Sequence, residues 1–136
     1  MKPHAEIEQV WPRDGRIRVI GRLHGTHGPA ASGPWRLLLV RRGRPAHQLR
    51  YGAHMDGDRF ECELPVGDLT AYEAGSADRW DLHLTDGRLR LRAGRRLDDI
   101  RGKKSVMVYP WQPVSGAFGV RPYFTVEDNL SLECRA

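Results

Sequence analysis

The sequence predicts an all-β protein, a two-layer antiparallel β-sandwich of immunoglobulin-like type. Three observations predict it: apolar residues alternate with period two along most of the chain, turn residues recur every eight to twelve positions or so, and segments of helical period are nearly absent. About eight to ten short strands follow, and long connections between layers would let the inward residues of two facing sheets interdigitate. A closed barrel is the alternative, because its strands alternate in the same way. At 136 residues the chain suffices for one domain with a real core, placed at 1–136, and no repeat or low-complexity linker marks a boundary.

A first strand covers Ala5 to Val10, and Asp14-Gly15 turns the chain into RIRVIGRLH, where Ile17, Val19 and Leu23 alternate with Arg16, Arg18 and Arg22. Gly21 takes an inward slot there, which points to a bulge or to a large neighbour such as Trp35 or Trp80 against its backbone. Gly25 to Pro34 reads as a small-residue loop, Trp35 to Arg42 as a strand, and Ala46 to Tyr51 as another. HMDGD forms a loop before Arg59 to Pro65, in which Phe60, Cys62 and Leu64 point inward. Val66 to Tyr72 holds the only helical turn. Ser105 to Pro110 regains strand character, Trp111 to Val120 reads as a long loop, and Tyr123 or Phe124 with Leu130, Leu132 and Cys134 supplies the last strand pair.

The stretch WDLHLTDGRLRLR, from Trp80 to Arg92, sorts its side chains most sharply. Asp86-Gly87 signals a two-residue type I′ hairpin loop. Counting outward pairs Thr85 with Arg88, His83 with Arg90 and Asp81 with Arg92. Trp80, Leu82, Leu84, Leu89 and Leu91 then form a core face, and Asp81, His83, Arg88, Arg90 and Arg92 an outer one.

Composition narrows the functional classes. With 40% hydrophobic and 29% charged residues the chain is of ordinary globular type. It holds no apolar run near the roughly 18 residues that span a bilayer, and MKPHAEIEQV has no signal-peptide core. A soluble, cytoplasmic protein without membrane insertion is expected. Cys62 and Cys134 fall on inward parity and read as buried free thiols. The net charge is +5, and of the 22 basic residues all but three are arginine. Guanidinium forks suit carboxylates and phosphates, so an anionic ligand fits. Nucleic acid is permitted by the charge but not indicated.

Three stretches, WDLHL, RLRLR and the terminal RPYFTVEDNLSL, carry a family resemblance over Arg79 to Arg135. In this order they resemble the immunoglobulin-like accessory domains of actinobacterial glycosyltransferases and CDP-glycerol glycerophosphotransferases of the teichoic-acid type. The chain departs from that pattern in its last turn, with Asp128 in place of a glycine. The resemblance implies an accessory sandwich whose chemistry belongs to a separate transferase domain. No Gly-rich phosphate loop or βαβ alternation supplies such a domain in this sequence.

Two functional readings emerge. The first is a non-catalytic module that binds a carbohydrate or anionic polymer, or docks onto a separate transferase, with no cofactor. Its ligand contacts would be Arg16 and Arg18 with Arg88, Arg90 and Arg92, if these share a sheet, together with the loop aromatics Trp111 and Phe118. The alternative is a small enzyme of specialised metabolism, with Asp81 orienting His83 as a base and His24 or Tyr123 as partner. Side chains at i and i+2 on a strand stand roughly 6 to 7 Å apart, too far for a direct hydrogen bond without a bulge. A metal at Asp81 and His83 is opposed by the facing arginines and by too few ligands. In the simplest reading Asp81 pairs with Arg92, and His83 is a surface imidazole beside Arg90. Edge strands would also permit a homodimer.

Overall fold

The computed structural model describes residues 3–25, 34–71, 78–94, 109, 111–115, 118–125, 127 and 129–135. Its strands are β1 (His4–Arg13), β2 (Arg16–His24), β3 (Arg36–Arg41), β4 (Gln48–Asp56), β5 (Arg59–Pro65), β6 (Asp78–Thr85), β7 (Arg90–Gly94), β8 (Gln112–Ser115), β9 (Phe118–Phe124) and β10 (Leu130–Arg135). One 3-10 turn, Val66–Ala71, follows β5 at the place where the sequence predicts helical character.

The all-β expectation holds, but the architecture is a barrel and not a sandwich. The strands run in the order β3-β4-β5-β2-β1-β7-β6, and β6 pairs back onto β3 from Arg36–Thr85 to Arg41–Trp80, which closes a ring of seven. Two contacts decide this closure, and neither lies between sequence neighbours. One is β3 with β6; the other is the parallel pairing of β1 with β7 at Ala5–Ala93 and Glu6–Gly94. Alternation along a strand fixes which side chains point inward. It is silent on which edges meet, so a sandwich and a barrel share one pattern.

Side chains fill the interior, with Trp80, Phe60 and Phe124 the largest fully buried. Gly21 lies opposite Ile7 at a bulge in β1, as its inward glycine suggests, but the ring against it belongs to Phe60. A Cβ on Gly21 would lie 2.6 Å from that ring and 2.1 Å from the Glu6 carbonyl oxygen, so no larger residue fits. Cys62 and Cys134 are buried and free, and burial pushes both thiols up to about 12.

Other local expectations are corrected. The β4 strand runs on through Asp56, which reduces HMDGD to a tight turn at Gly57 and Asp58. Part of Trp111 to Val120 is not loop but the strands β8 and β9. The strand expected at Ser105 to Pro110 lies, apart from Tyr109, outside the described residues, as does most of the Gly25 to Pro34 loop.

The hairpin keeps its two faces but slides by two residues, pairing His83 with Arg92, Leu84 with Leu91 and Thr85 with Arg90. The loop is therefore four residues, Asp86 to Leu89, in place of a two-residue turn. The Asp86 carboxylate accepts the backbone N–H groups of Arg88 and Leu89 at 2.8 and 2.7 Å, and Thr85 Oγ1 donates to the Leu89 carbonyl at 2.7 Å. Side-chain capping of the wider loop thus outcompetes the tight turn.

The β6 strand also feeds a second sheet. On the edge away from β3, its residues His83 to Thr85 pair with β7, whereas Asp78 to Asp81 pair with β10, beyond which lie β9 and β8. Gln112 of β8, nearly buried, ties this extension to the β1–β2 turn. Its Oε1 accepts Gly15 N–H and its Nε2 donates to the Arg16 carbonyl, both at 2.8 Å. Among the described residues no helix is long and apolar enough to cross a membrane.

Candidate functional site

Register across β4, β3, β6 and β7 fixes the outer wall as a grid. One row reads Gly52, Arg36, Thr85, Arg90; the next reads Arg50, Leu38, His83, Arg92; and the third runs through Gln48, Val40 and Asp81 to Ser131 of β10. The upper and lower parts of this wall differ in chemistry.

In the upper part a groove of about 390 Å3 is lined by Arg36, Arg50, Arg88 and Arg90 around Thr85, Leu38 and Leu89. All four arginines are exposed. Among the described residues none of the four is paired with a carboxylate, and Arg50 Nη2 donates to the Gln48 side-chain oxygen at 2.9 Å. The groove's own carboxylate, Asp86, is turned into the hairpin loop and only 5% exposed. Leu38, though on outward parity, is buried beneath the groove. Such a surface holds cationic forks over an apolar floor and can bind phosphate or carboxylate groups bidentately.

In the lower part the charges are saturated. Asp81 accepts from Arg42 Nη2 at 2.6 Å, Ser131 Oγ at 2.7 Å and Arg92 Nη2 at 3.1 Å. Arg92 Nη1 donates to the carbonyls of Leu82 at 2.9 Å and of Leu130. This guanidinium sits where β7 and β10 part along the edge of β6, and satisfies carbonyls that the split ladder exposes. Burial pushes the Asp81 carboxyl up, but hydrogen bonds from Arg42 and Ser131 and the charges of Arg92 and Arg42 hold it below the ordinary Asp range. Burial depresses the Arg92 guanidinium, against the pull of Asp81. For His83, burial first and then the charges of Arg92 and Arg90 lower the imidazole to about 4, so it is neutral at pH 7. A general base works best with a pKa near the operating pH, which this ring lacks.

The structure therefore brings together Asp81, His83 and Arg92, with Tyr123 opposite Ser131 on the next strand and its hydroxyl buried. The expected ion pair between Asp81 and Arg92 forms, as a diagonal and not a directly opposed pair. His24 stands apart on β2, with Nε2 3.2 Å from Glu6 and its ring stacked on His4.

The arginines of β2 are separated from β7 by β1, and each is matched by carboxylates. Arg16 pairs with Glu63 at 2.7 Å, Arg18 with Glu61, and Arg22 with Asp58 at 2.7 Å and Glu8 at 3.3 Å. The Arg18 hydrogen bond is the chief reason that the Glu61 carboxyl lies below its usual range. Trp111 has the Arg121 guanidinium 4.5 Å from its ring centroid, and Arg121 reaches Glu133 at 3.0 Å. Phe118 is the first residue of β9, in register with Ser115.

Of the groove, only Arg88 and Arg90 are among the sequence-derived candidates. Arg36, Arg50, Leu38 and Thr85 were missed. One signal was available: in WRLLLVRR the leucine between Leu37 and Leu39 falls on outward parity, with arginine two residues before it.

No protein-family model matches the chain, and no curated protein matches it in sequence. Among solved structures, S. aureus TarS aligns with 98% of this chain at a TM-score of 0.68 and 17% identity. A shorter TarS fragment aligns with 100% of it at a TM-score of 0.65 and 18% identity. The chain spans 25% of the first of these and 39% of the second. At such identities the likeness is one of fold.

Proposed function

We propose that this chain is a non-catalytic β-barrel module that holds an anionic polymer in the arginine groove at the tip of the β6–β7 hairpin, in the service of a glycosyltransferase. One observation carries the reading. Four exposed arginines converge on one groove with no carboxylate partner among the described residues, on a barrel whose other arginines are largely ion-paired. Leaving like charges together is unfavourable in the free protein, and an anionic ligand relieves it.

The transferase setting rests on the resemblance of Arg79 to Arg135 to accessory domains of teichoic-acid transferases. A barrel that aligns over nearly its whole length with a quarter of the TarS chain is suited to accessory work beside a larger protein. The rival reading as a small enzyme needs Asp81 free to face a substrate. Here three donors hold that carboxylate, and His83 is kept neutral outside the groove.

Titration with linear inorganic polyphosphate tests the proposal. If four arginines each displace a counterion as they do on a flexible single-stranded polyanion, affinity falls roughly 50-fold between about 50 and 200 mM salt. The double variant Arg36→Gln/Arg90→Gln should lose most of the binding. Binding that ignores salt, or that survives in the double variant, sinks the proposal.

A further inference from the structure

By backbone register the four arginines of the groove fall into two pairs. Arg36 on β3 and Arg50 on β4 are diagonal neighbours, since Arg36 lies opposite Gly52 and Leu38 opposite Arg50. Arg88 and Arg90 lie two residues apart where the hairpin loop enters β7. Between the pairs stands Thr85 of β6, flanked in register by Arg36 on one side and Arg90 on the other. Two interstrand steps, about 10 Å at the backbone, therefore separate the cationic pairs.

Among the described residues the groove's one other charged side chain is Asp86, whose carboxylate is turned into the hairpin loop. Thr85 Oγ1 is already engaged by the Leu89 carbonyl and Gly87 N–H, and Leu38 and Leu89 line the groove beside it. The hairpin loop has no free amides to offer at Gly87, Arg88 and Leu89, because Thr85 Oγ1 and the Asp86 carboxylate accept all three. Recognition at this end of the groove thus falls to the guanidinium groups alone. A small anion held close over one pair lies two interstrand steps from the backbone of the other.

We infer that the groove is a two-point site for a phosphate-bearing chain: one phosphate group sits between Arg36 and Arg50, another between Arg88 and Arg90, and an uncharged or weakly charged stretch of ligand crosses Thr85. The inference rests on the groove being the anion site and adds the chemical class and spacing of what it takes. Guanidinium forks favour phosphate through paired N–H···O bonds. Linking two such contacts makes the second intramolecular, and affinity rises on the order of 10²-fold or more without any new contact.

Two probes and two double variants test it. Wild-type protein should bind orthophosphate weakly at two equivalent places, and long-chain inorganic polyphosphate at least roughly 100-fold more tightly per chain segment. Arg36→Gln/Arg50→Gln and Arg88→Gln/Arg90→Gln should each bring polyphosphate affinity to within about tenfold of orthophosphate, while orthophosphate still binds at one place with little changed affinity. All these side chains are exposed, and circular dichroism should show both variants folded. If either double variant abolishes orthophosphate binding altogether, the arginines form one convergent site and the two-point inference is overturned. Retention of full polyphosphate affinity by either variant overturns it equally. Failure of wild-type protein to bind polyphosphate at all would instead remove the anion-site reading beneath it.

Discussion

The upper and lower halves of one barrel wall use the same residue type to opposite ends. At the junction of β6, β7 and β10, Arg92 and Arg42 surround Asp81, and Arg92 also carries backbone carbonyls. Farther up the same wall, Arg36, Arg50, Arg88 and Arg90 face a groove whose one carboxylate among the described residues, Asp86, is turned into the hairpin loop. The first arrangement holds strands together; the second leaves binding capacity unspent. What separates them is the neighbour that register supplies, a carboxylate and a serine below, a threonine and a leucine above.

The largest effect should come from breaking the lower half. Arg92→Met leaves two carbonyls and part of Asp81 uncompensated, and should cost about 3 kcal/mol in urea unfolding. Asp81→Asn keeps an acceptor but loses the charge between two guanidinium groups, for a smaller cost of about 1–2 kcal/mol. A loss below about 0.5 kcal/mol for Arg92→Met would show that the junction is ordinary surface.

Acidification probes the same half without mutation. The folded-state imidazole of His83 is depressed to about 4, well below its unfolded value near 6.5. Between these values the unfolded chain binds a proton that the folded chain does not, so stability rises with pH across the window and falls as pH drops from 6.5 towards 4. His83→Gln should flatten this segment of the stability curve. Asp81, also depressed, adds a further loss at lower pH, as the carboxylate that holds Arg42 and Arg92 is protonated. An unaltered slope between pH 4 and 6.5 in His83→Gln would place the titration elsewhere.

The smallest stability effects belong to the upper half and to β2. Arg36→Gln and Arg90→Gln should each change unfolding free energy by no more than about 0.5 kcal/mol, with stabilisation the expected direction, since each removes like-charge repulsion. Arg18→Gln should cost less than Asp81→Asn, because its partner Glu61 is on the surface and the pair is screened by solvent. Groove variants that destabilise more than the β2 variant would mean that the groove arginines serve the fold.

Much of the strand content was legible in the sequence because burial alternates along a strand. Phe60, Cys62 and Leu64, or Trp80, Leu82 and Leu84, point inward as their spacing requires. Closure was not legible. It depends on β1 meeting β7 through two residue pairs and on β3 meeting β6, contacts that pattern alone does not select. The hairpin register was misjudged because Asp86-Gly87 favours a two-residue turn locally, whereas the Asp86 and Thr85 side chains cap a wider one. The site was half legible for the same reason. Arg88 and Arg90 stand on the outward face of a readable hairpin, but Arg36 and Arg50 join them only across the β3–β6 seam.

The central claim, that anions bind where arginine lacks a carboxylate and not merely where arginine is frequent, is tested most directly by mapping backbone amide NMR shifts during a titration with inorganic polyphosphate. The largest shifts should fall on Arg36, Leu38, Arg50 and Thr85 to Arg90, with Arg16, Arg18 and Arg22 nearly unmoved. Shifts concentrated on β2, or spread evenly over every arginine of the barrel, would contradict it.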